Sequence, residues 1–263
     1  MTVWLTYLVT GAAAGLAAGL LGVGGGLIIV PVLVFAFLQQ GMHADVVVHM
    51  AVGTSLATII FTSISSVSAH HKRGAVLWPL VWQLSPGIVV GSLLGALIAK
   101  QMSSDNLRIF FGIFELLVAI QMALQVKPKP HRPLPGRLTM AFAGGIIGSV
   151  SAIVGIGGGT MTVPFLVWSQ VAMKNAVATS SACGLPIAVA GAVGFVLTGW
   201  QDVHLPEYSS GYIYWPAFIA IVIASVSLAP LGARLAHHLP ALVLKRLFAI
   251  LLAGLGLRML FSA

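Results

Sequence analysis

The sequence predicts an all-α integral membrane protein made of two inverted repeats of about five helical elements each, with the first helix of each repeat broken at glycines. The chain is 59% hydrophobic and only 7% charged, which would leave large apolar patches on a water-soluble domain. Its apolar stretches repeatedly exceed the roughly 20 residues that a helix needs to cross a hydrocarbon core. A run of four glycines in five residues at 22–26 also returns at 155–159, which indicates a duplicated unit.

The repeat extends beyond the glycines and divides the chain into three parts. Pro31 follows the first run as Pro164 follows the second, and the segment Ala-Val-Gly-Thr-Ser at 51–55 returns as Ala-Val-Ala-Thr-Ser at 176–180. Four prolines and four Lys or Arg residues lie between the two units, a composition typical of an extended hydrophilic linker. We predict a first membrane repeat over 1–126, a basic, Pro-rich cytoplasmic linker over 127–137, and a second membrane repeat over 138–263.

The first apolar block of each repeat is too long for one helix. Residues 3–38 would form a helix of about 54 Å, nearly twice a hydrocarbon core of about 30 Å. The glycines therefore break it into helices at 3–21 and 27–38, either as two crossings or as a re-entrant hairpin. The other predicted helices cover 46–69, 75–99, 106–126, 138–155, 160–171, 175–198, 213–237 and 241–261.

Charge predicts how the repeats lie in the membrane. Lys and Arg are enriched in cytoplasmic loops, so the basic linker and the loop near Arg73 are predicted inside. The equivalent loop of the second repeat, residues 201–207, carries two acidic residues and no Lys or Arg, which favours the outer face. We therefore expect inverted repeats, with both termini outside, in a multi-pass membrane protein.

Several classes of protein are excluded by the composition. The net charge of +8 comes from Lys and Arg residues between apolar segments. The sequence lacks the basic face with interleaved aromatic residues that would predict nucleic-acid binding. The single cysteine, Cys183, allows no intrachain disulfide and no Cys-based metal site. Leu27 and Thr160 occupy the position at which a dinucleotide-binding fingerprint has its third glycine. The sequence also lacks the Gly-x-Ser-x-Gly element that would predict a serine hydrolase. We therefore expect no enzyme, cofactor or metal.

The glycine runs are candidate sites for a small anion. Backbone amides of successive glycines and the positive ends of the helices that follow them can bind an anion without a charged side chain. The open alternative is that the glycines only allow close helix packing. The Thr-Ser pairs in the repeated helices could donate hydroxyls, or could bond only to their own helix. The predicted substrate-binding residues are Gly24, Gly25, Gly26, Thr54, Ser55, Gly157, Gly158, Gly159, Thr160, Thr179, Ser180 and Ser181.

Three ionisable residues are candidates for gating or coupling. Glu115 lies within an apolar helix and could carry a coupled proton, or could form a neutral hydrogen bond between helices; the equivalent residue is Leu252, so the repeat does not support coupling. His49 lies near a predicted helix start at the outer face and could form an entry gate. Arg73 could attract an anion to the cytoplasmic mouth or serve only as a topological anchor.

The chain resembles the TauE/SafE sulfite exporter family along its whole length. The resemblance lies in the glycine runs with their following Val-Pro pairs, in the segments at 51–55 and 176–180, and in His-Lys-Arg-Gly-Ala-Val-Leu-Trp at 71–78. One departure is the Leu before Trp78, where relatives often have an acidic residue. The resemblance implies a transporter of the bacterial inner (cell) membrane that moves small sulfur-containing anions such as sulfite, sulfoacetate or thiosulfate, generally outward.

Two alternatives stay open in the sequence. A passive anion channel would have the same composition and the same glycine hinges, as would a carrier of another small organic anion. The expected partners are the anion, the lipid bilayer and a coupled proton, with no nucleic acid. The sequence does not encode the choice of anion, the direction of transport, the coupling ion or the oligomeric state.

Overall fold

The computed structural model describes residues 2–21, 25–124, 135–235 and 241–261, and these residues are almost entirely helical. Six of their helices are long and apolar enough to cross a membrane, which confirms the predicted helical membrane protein. The elements are α1 Thr2–Leu21, α2 Gly26–Gln39, α3 Ala44–His71, α4 Trp78–Gln101, α5 Ser104–Leu124, α6 Arg137–Val154, α7 Gly159–Trp168, α8 Met173–Gly199, β1 Ser209–Ser210, β2 Ile213–Tyr214, α9 Trp215–Leu235 and α10 Ala241–Phe261.

The start of α9 differs from the prediction. A helix was expected from residue 213, but Ile213 and Tyr214 form the second strand of a short antiparallel hairpin. Gly211 turns this hairpin with a φ of +53°, a conformation that glycine adopts without steric cost. The helix begins at Trp215, where the following Pro216 suits the first helical turn because its missing N–H would have no partner there. Of the predicted linker, residues 127–134 lie outside the described residues.

The second helix of each half is short. α2 has 14 residues and α7 has 10, so they extend for about 21 Å and 15 Å. Neither length crosses a hydrocarbon core of about 30 Å, which favours the re-entrant form of the glycine-broken block. α6 ends at Gly155, whose φ of +75° lies in the left-handed region, a common way for a helix to end at glycine.

The two halves pack through equivalent pairs of helices. α1 of the first half packs on α9 of the second, and α4 of the first half packs on α6 of the second. Because α6 is the counterpart of α1 and α9 is the counterpart of α4, the two contacts are equivalent. Glycines allow this close approach: a Cβ on Gly11 would lie 2.6 Å from the carbonyl oxygen of Ile221, and one on Gly95 would lie 2.5 Å from that of Ser149. Such small-residue contacts are typical of helices packed in membranes.

Two pairs of corresponding helices from the two halves run in opposite directions. In the central pair, α3 and α8, Leu56 contacts Gly191 and Ser63 contacts Gly184, so the residue numbers advance oppositely. In the pair α5 and α10, Gly112 lies against Leu260 while Leu116 lies against Gly256. Opposed directions are what an inverted repeat requires. The placement of each end at a particular membrane face stays a prediction.

Candidate functional site

The second glycine break, residues 155–159, meets the described end of the first break, at Gly26, in the interior of the bundle. A Cβ on Gly26, at the start of α2, would collide with the carbonyl oxygen of Gly155 and lie 3.0 Å from Cα of Ile156. Ser55 on α3 donates a hydrogen bond of 2.8 Å to the same carbonyl oxygen. The predicted site residues Gly26 and Ser55 therefore lie beside the second break, while the buried Gly25 lies against Ala14. Gly24 lies outside the described residues.

The second break leads into α7 through a left-handed turn at Gly158. Gly158 has a φ of +72°, and a Cβ there would collide with Cδ1 of Ile187 on α8. The amides of Met161 and Thr162 are the first to bond within α7, both to the carbonyl oxygen of Gly158. The N–H groups of Gly159 and Thr160 precede them, at the positive end of the helix, without a partner inside it.

Buried hydroxyls without a partner lie around this turn. The Oγ1 atoms of Thr160 and Thr162 and the Oγ atom of Ser180 are inaccessible and have no hydrogen-bond partner. Thr160 and Ser180 were predicted site residues, but Thr162 was not. The sequence did hold a signal for it, since aligning the glycine runs places Thr162 opposite Ile29. The predicted Ser181 differs, because its hydroxyl donates 3.1 Å to the Val177 carbonyl of its own helix.

The predicted residues Thr54 and Thr179 contact backbone amides. The Oγ1 atom of Thr54 accepts a 3.0 Å hydrogen bond from the N–H of Tyr214. That of Thr179 accepts one of equal length from the N–H of Leu77. Leu77 precedes α4 and Tyr214 precedes α9, so each threonine holds the start of a helix in the opposite half. Sequence reasoning missed this structural contact, because the partner amides are more than 100 residues away.

The three gating or coupling candidates lie in different places. Glu115 is fully buried on α5, and neither of its carboxyl oxygens has a hydrogen-bond partner. His49 is also buried; its Nε2 lies 2.9 Å from the carbonyl oxygen of Ala99, which connects α3 to the end of α4. Arg73 is exposed in the loop after α3. No described contact connects these residues to the glycine turns.

Loops of the two halves meet at one end of the bundle. The rings of His43, just before α3, and His204 lie 4.3 Å apart. Arg73 follows the other end of α3, a helix of 28 residues and thus about 42 Å. His204 and Arg73 therefore lie at opposite ends of the bundle, as their predicted placement at opposite membrane faces requires.

The loop of His204 is ordered by an acidic residue. Asp202 accepts hydrogen bonds from the backbone N–H of His204 and from the Tyr212 hydroxyl, at 3.0 Å and 2.9 Å. Partial burial raises the pKa of the Asp202 carboxyl, but these bonds and the His204 ring outweigh burial and hold the pKa below its usual value. Burial and the same bond to Asp202 raise the pKa of Tyr212. Within the described part of the chain, no three His, Cys, Asp or Glu residues are arranged to hold a metal ion.

Comparison with known proteins supports transport as the function of this fold. The chain is 35% identical to a probable membrane transporter protein of Haemophilus influenzae over 97% of both chains. It is 28% identical to the probable membrane transporter protein YunE of Bacillus subtilis over 98% of both. A probable membrane transporter protein of Methanocaldococcus jannaschii is 29% identical, over 96% of this chain and 94% of its own. No solved structure matches.

The match to a family model covers nearly the whole chain. The model described as sulfite exporter TauE/SafE aligns with residues 7–259. The matched range includes both glycine turns, both Thr-Ser pairs and the buried Glu115. The chain therefore belongs to the sulfite exporter TauE/SafE family of membrane transporters.

Proposed function

We propose that this chain is a secondary transporter that exports small sulfur-containing anions such as sulfite, sulfoacetate or thiosulfate. The observation that carries the proposal is the meeting of two glycine breaks in the bundle interior, next to buried hydroxyls without partners. Broken half-helices near the midplane are typical substrate sites of inverted-repeat transporters. The description of the matching family model supports the choice of sulfur anions.

The chemistry of the turns suits a small anion that must be released again. Backbone amides and hydroxyls donate hydrogen bonds to oxyanion oxygens, while the helix ends add only partial positive charge. No Lys or Arg is among the described contacts of the turns. A site without a full countercharge binds an anion reversibly, which transport requires.

The proposed setting is the bacterial inner membrane. The first repeat would cover 1–126 and the second 138–263, with the basic linker over 127–137 in the cytoplasm. The opposed directions of α3 and α8, and of α5 and α10, support this inverted arrangement. The exposed Arg73 would then lie at the cytoplasmic mouth.

Glu115 favours a coupled carrier over a passive channel. A fully buried carboxyl group with both oxygens unpartnered is costly when it is charged. Ionisable groups in membrane helices commonly take part in proton relays. We propose that Glu115 binds and releases the coupled proton, although it lies outside the described contacts of the anion site.

The test is a binding panel followed by transport. Sulfite, thiosulfate, sulfoacetate, sulfate and chloride are added to the purified protein, and thermal unfolding is followed. A ligand at 100 times its dissociation constant stabilises the fold by about 2.7 kcal/mol. We expect stabilisation by a sulfur anion, and saturable, proton-dependent flux in proteoliposomes. Equal responses to every anion would contradict the proposed substrate class, and electrical conductance without saturation would indicate a channel.

A further inference from the structure

The two glycine turns are equivalent in position but not in chemistry. A Cβ on Gly158 would lie 3.4 Å from Oγ1 of Thr162. At the equivalent Gly25, a Cβ would lie 3.1 Å from Cδ1 of Ile29. The Thr162 hydroxyl oxygen in the second half therefore lies where the first half has the Cδ1 methyl group of Ile29. Thr160 likewise corresponds to Leu27, so α7 begins with two hydroxyls where α2 has two aliphatic side chains.

Many hydroxyls elsewhere in the helices bond to their own backbone, and others bond to a neighbouring helix, as Ser92 and Ser149 do. Thr58, for example, is fully buried and donates a 2.7 Å hydrogen bond to the carbonyl oxygen of Ser55. The same pattern holds for Thr10, Ser85, Ser181, Thr198 and Ser227. Thr160, Thr162 and Ser180 have no partner of either kind, and neither does Ser151 on α6, the helix that leads into the second glycine run. A buried polar atom without a partner is rare and needs an explanation, such as a ligand that supplies the missing bond.

One face of α8 lies against the second glycine turn. Gly184 lies against the carbonyl oxygen of Gly157, and Ile187 lies against Gly158. Ser180 comes one helical turn before Gly184 and therefore lies on the same face of the helix. Its unpartnered hydroxyl and those of Thr160 and Thr162 border the turn from two helices.

The described end of the first glycine run, Gly25 and Gly26, is in contrast surrounded by protein atoms. A Cβ on Gly25 would lie 2.7 Å from Cβ of Ala14, and Gly26 lies against the Gly155 carbonyl. Ser55, the equivalent of Ser180, already donates its hydrogen to that carbonyl oxygen. Leu27 and Ile29 are fully buried in the core. Gly25 and Gly26 thus serve close packing, and the unpartnered buried hydroxyls among the described residues belong to the second half.

We infer that the transported anion is bound by the second repeat alone, between the start of α7 and α8, with Thr162 as a binding residue. The inference rests on the proposed function. The hydroxyls of Thr160, Thr162 and Ser180 donate to the anion oxygens, and the N–H groups of Gly159 and Thr160 add their partial positive charge. Gly25 and Gly26 of the first glycine run are packed against protein and donate nothing to this site.

The test compares variants that differ by one hydroxyl. Thr162→Val and Ser180→Ala remove the proposed donors while keeping the size of the side chain nearly constant. Thr58→Val is the matched control, because its buried hydroxyl bonds only to its own helix, and Ile29→Val alters the equivalent position of the first turn. Affinity is measured by titration with the same anion panel, and unfolding temperature is measured without anion.

We expect Thr162→Val to weaken binding at least about tenfold, since a hydrogen bond to a charged group is lost. Without anion it should unfold no earlier than wild type, because it removes an unpartnered polar atom. Thr58→Val and Ile29→Val should keep wild-type affinity.

Each outcome separates the inference from the proposed function. If wild type binds a sulfur anion and Thr162→Val binds it equally well, the inference of a site in the second repeat alone is wrong and the transporter proposal stands. If wild type binds only another anion, and Thr162→Val loses it, the site is supported and the sulfur specificity is wrong. If wild type binds none of the anions, both are overturned.

Discussion

Thr54 and Thr179 make the same hydrogen bond in opposite halves of the molecule. Each accepts the backbone N–H of the residue before a helix-starting tryptophan, Tyr214 in one case and Leu77 in the other, at 3.0 Å. Both threonines are fully buried. They join the central helices α3 and α8 to the starts of α9 and α4.

Replacing either threonine by valine should therefore lower stability. Thr54→Val or Thr179→Val leaves a partly buried N–H without its acceptor, which costs up to about 1–3 kcal/mol. The unfolding temperature of the purified protein in detergent should fall for both variants by similar amounts. Thr10→Val is the control, since its hydroxyl bonds only to its own helix. A variant that lost anion affinity with unchanged unfolding would contradict the structural role.

The second glycine turn should not tolerate a side chain. Gly158→Ala combines a left-handed φ with a collision against Ile187, so we expect loss of anion binding and transport. Gly41→Ala has a φ of +74° but open space around it, and Gly254→Ala has open space and no positive φ. Gly254→Ala should behave as wild type, and Gly41→Ala should show only a modest loss of stability from backbone strain. Normal transport by Gly158→Ala would rule out a close fit at this turn.

Removing the buried carboxyl group should separate binding from coupling. Glu115→Gln keeps the size of the side chain but cannot release a proton. In proteoliposomes, we expect anion exchange between the two sides to persist while flux driven by a pH gradient disappears. Glu115→Asp, which keeps the acid, should retain part of the gradient-driven flux. Unchanged gradient dependence in Glu115→Gln would contradict proton coupling through this residue.

The two ends of the bundle should label from opposite sides of the membrane. Arg73→Cys and His204→Cys are each placed in a Cys183→Ala background, because the native cysteine is the single one and is buried. An impermeant thiol reagent applied to intact cells should modify position 204, and position 73 only after the cells are opened. Labelling of both from one side would show that the predicted topology is wrong.

The Asp202 loop should be stabilised more at neutral than at acid pH. The pKa of Asp202 in the folded protein lies below its usual value. The ionised carboxylate therefore stabilises the fold fully at pH values above the pKa of an unperturbed Asp, about 3.9. This stabilisation is lost as the pH falls through the lowered pKa of the folded protein. Asp202→Asn should unfold at a lower temperature than wild type at pH 7. The difference should shrink as the pH is lowered, and a constant difference would contradict an electrostatic role.

The overall helical fold was readable from the sequence because a bilayer imposes strict rules. Backbone groups in hydrocarbon must bond internally, so long apolar runs form helices, and the predicted boundaries agree with most helices to within a few residues. The hairpin before Trp215 was missed because its two strands depend on Gly211 and on packing against α3. Its four residues carry no periodic pattern.

The sequence by itself determined the fold class, the duplication and the positions of the glycine breaks, since these follow from composition and spacing along the chain. Only the tertiary structure decided which polar groups are available. Thr54, Thr179 and Ser55 bond to backbone atoms 100 residues or more away, whereas Thr162 and Ser180 have no partner. Hydrogen-bond satisfaction depends on neighbours brought together by folding, and local sequence does not specify them.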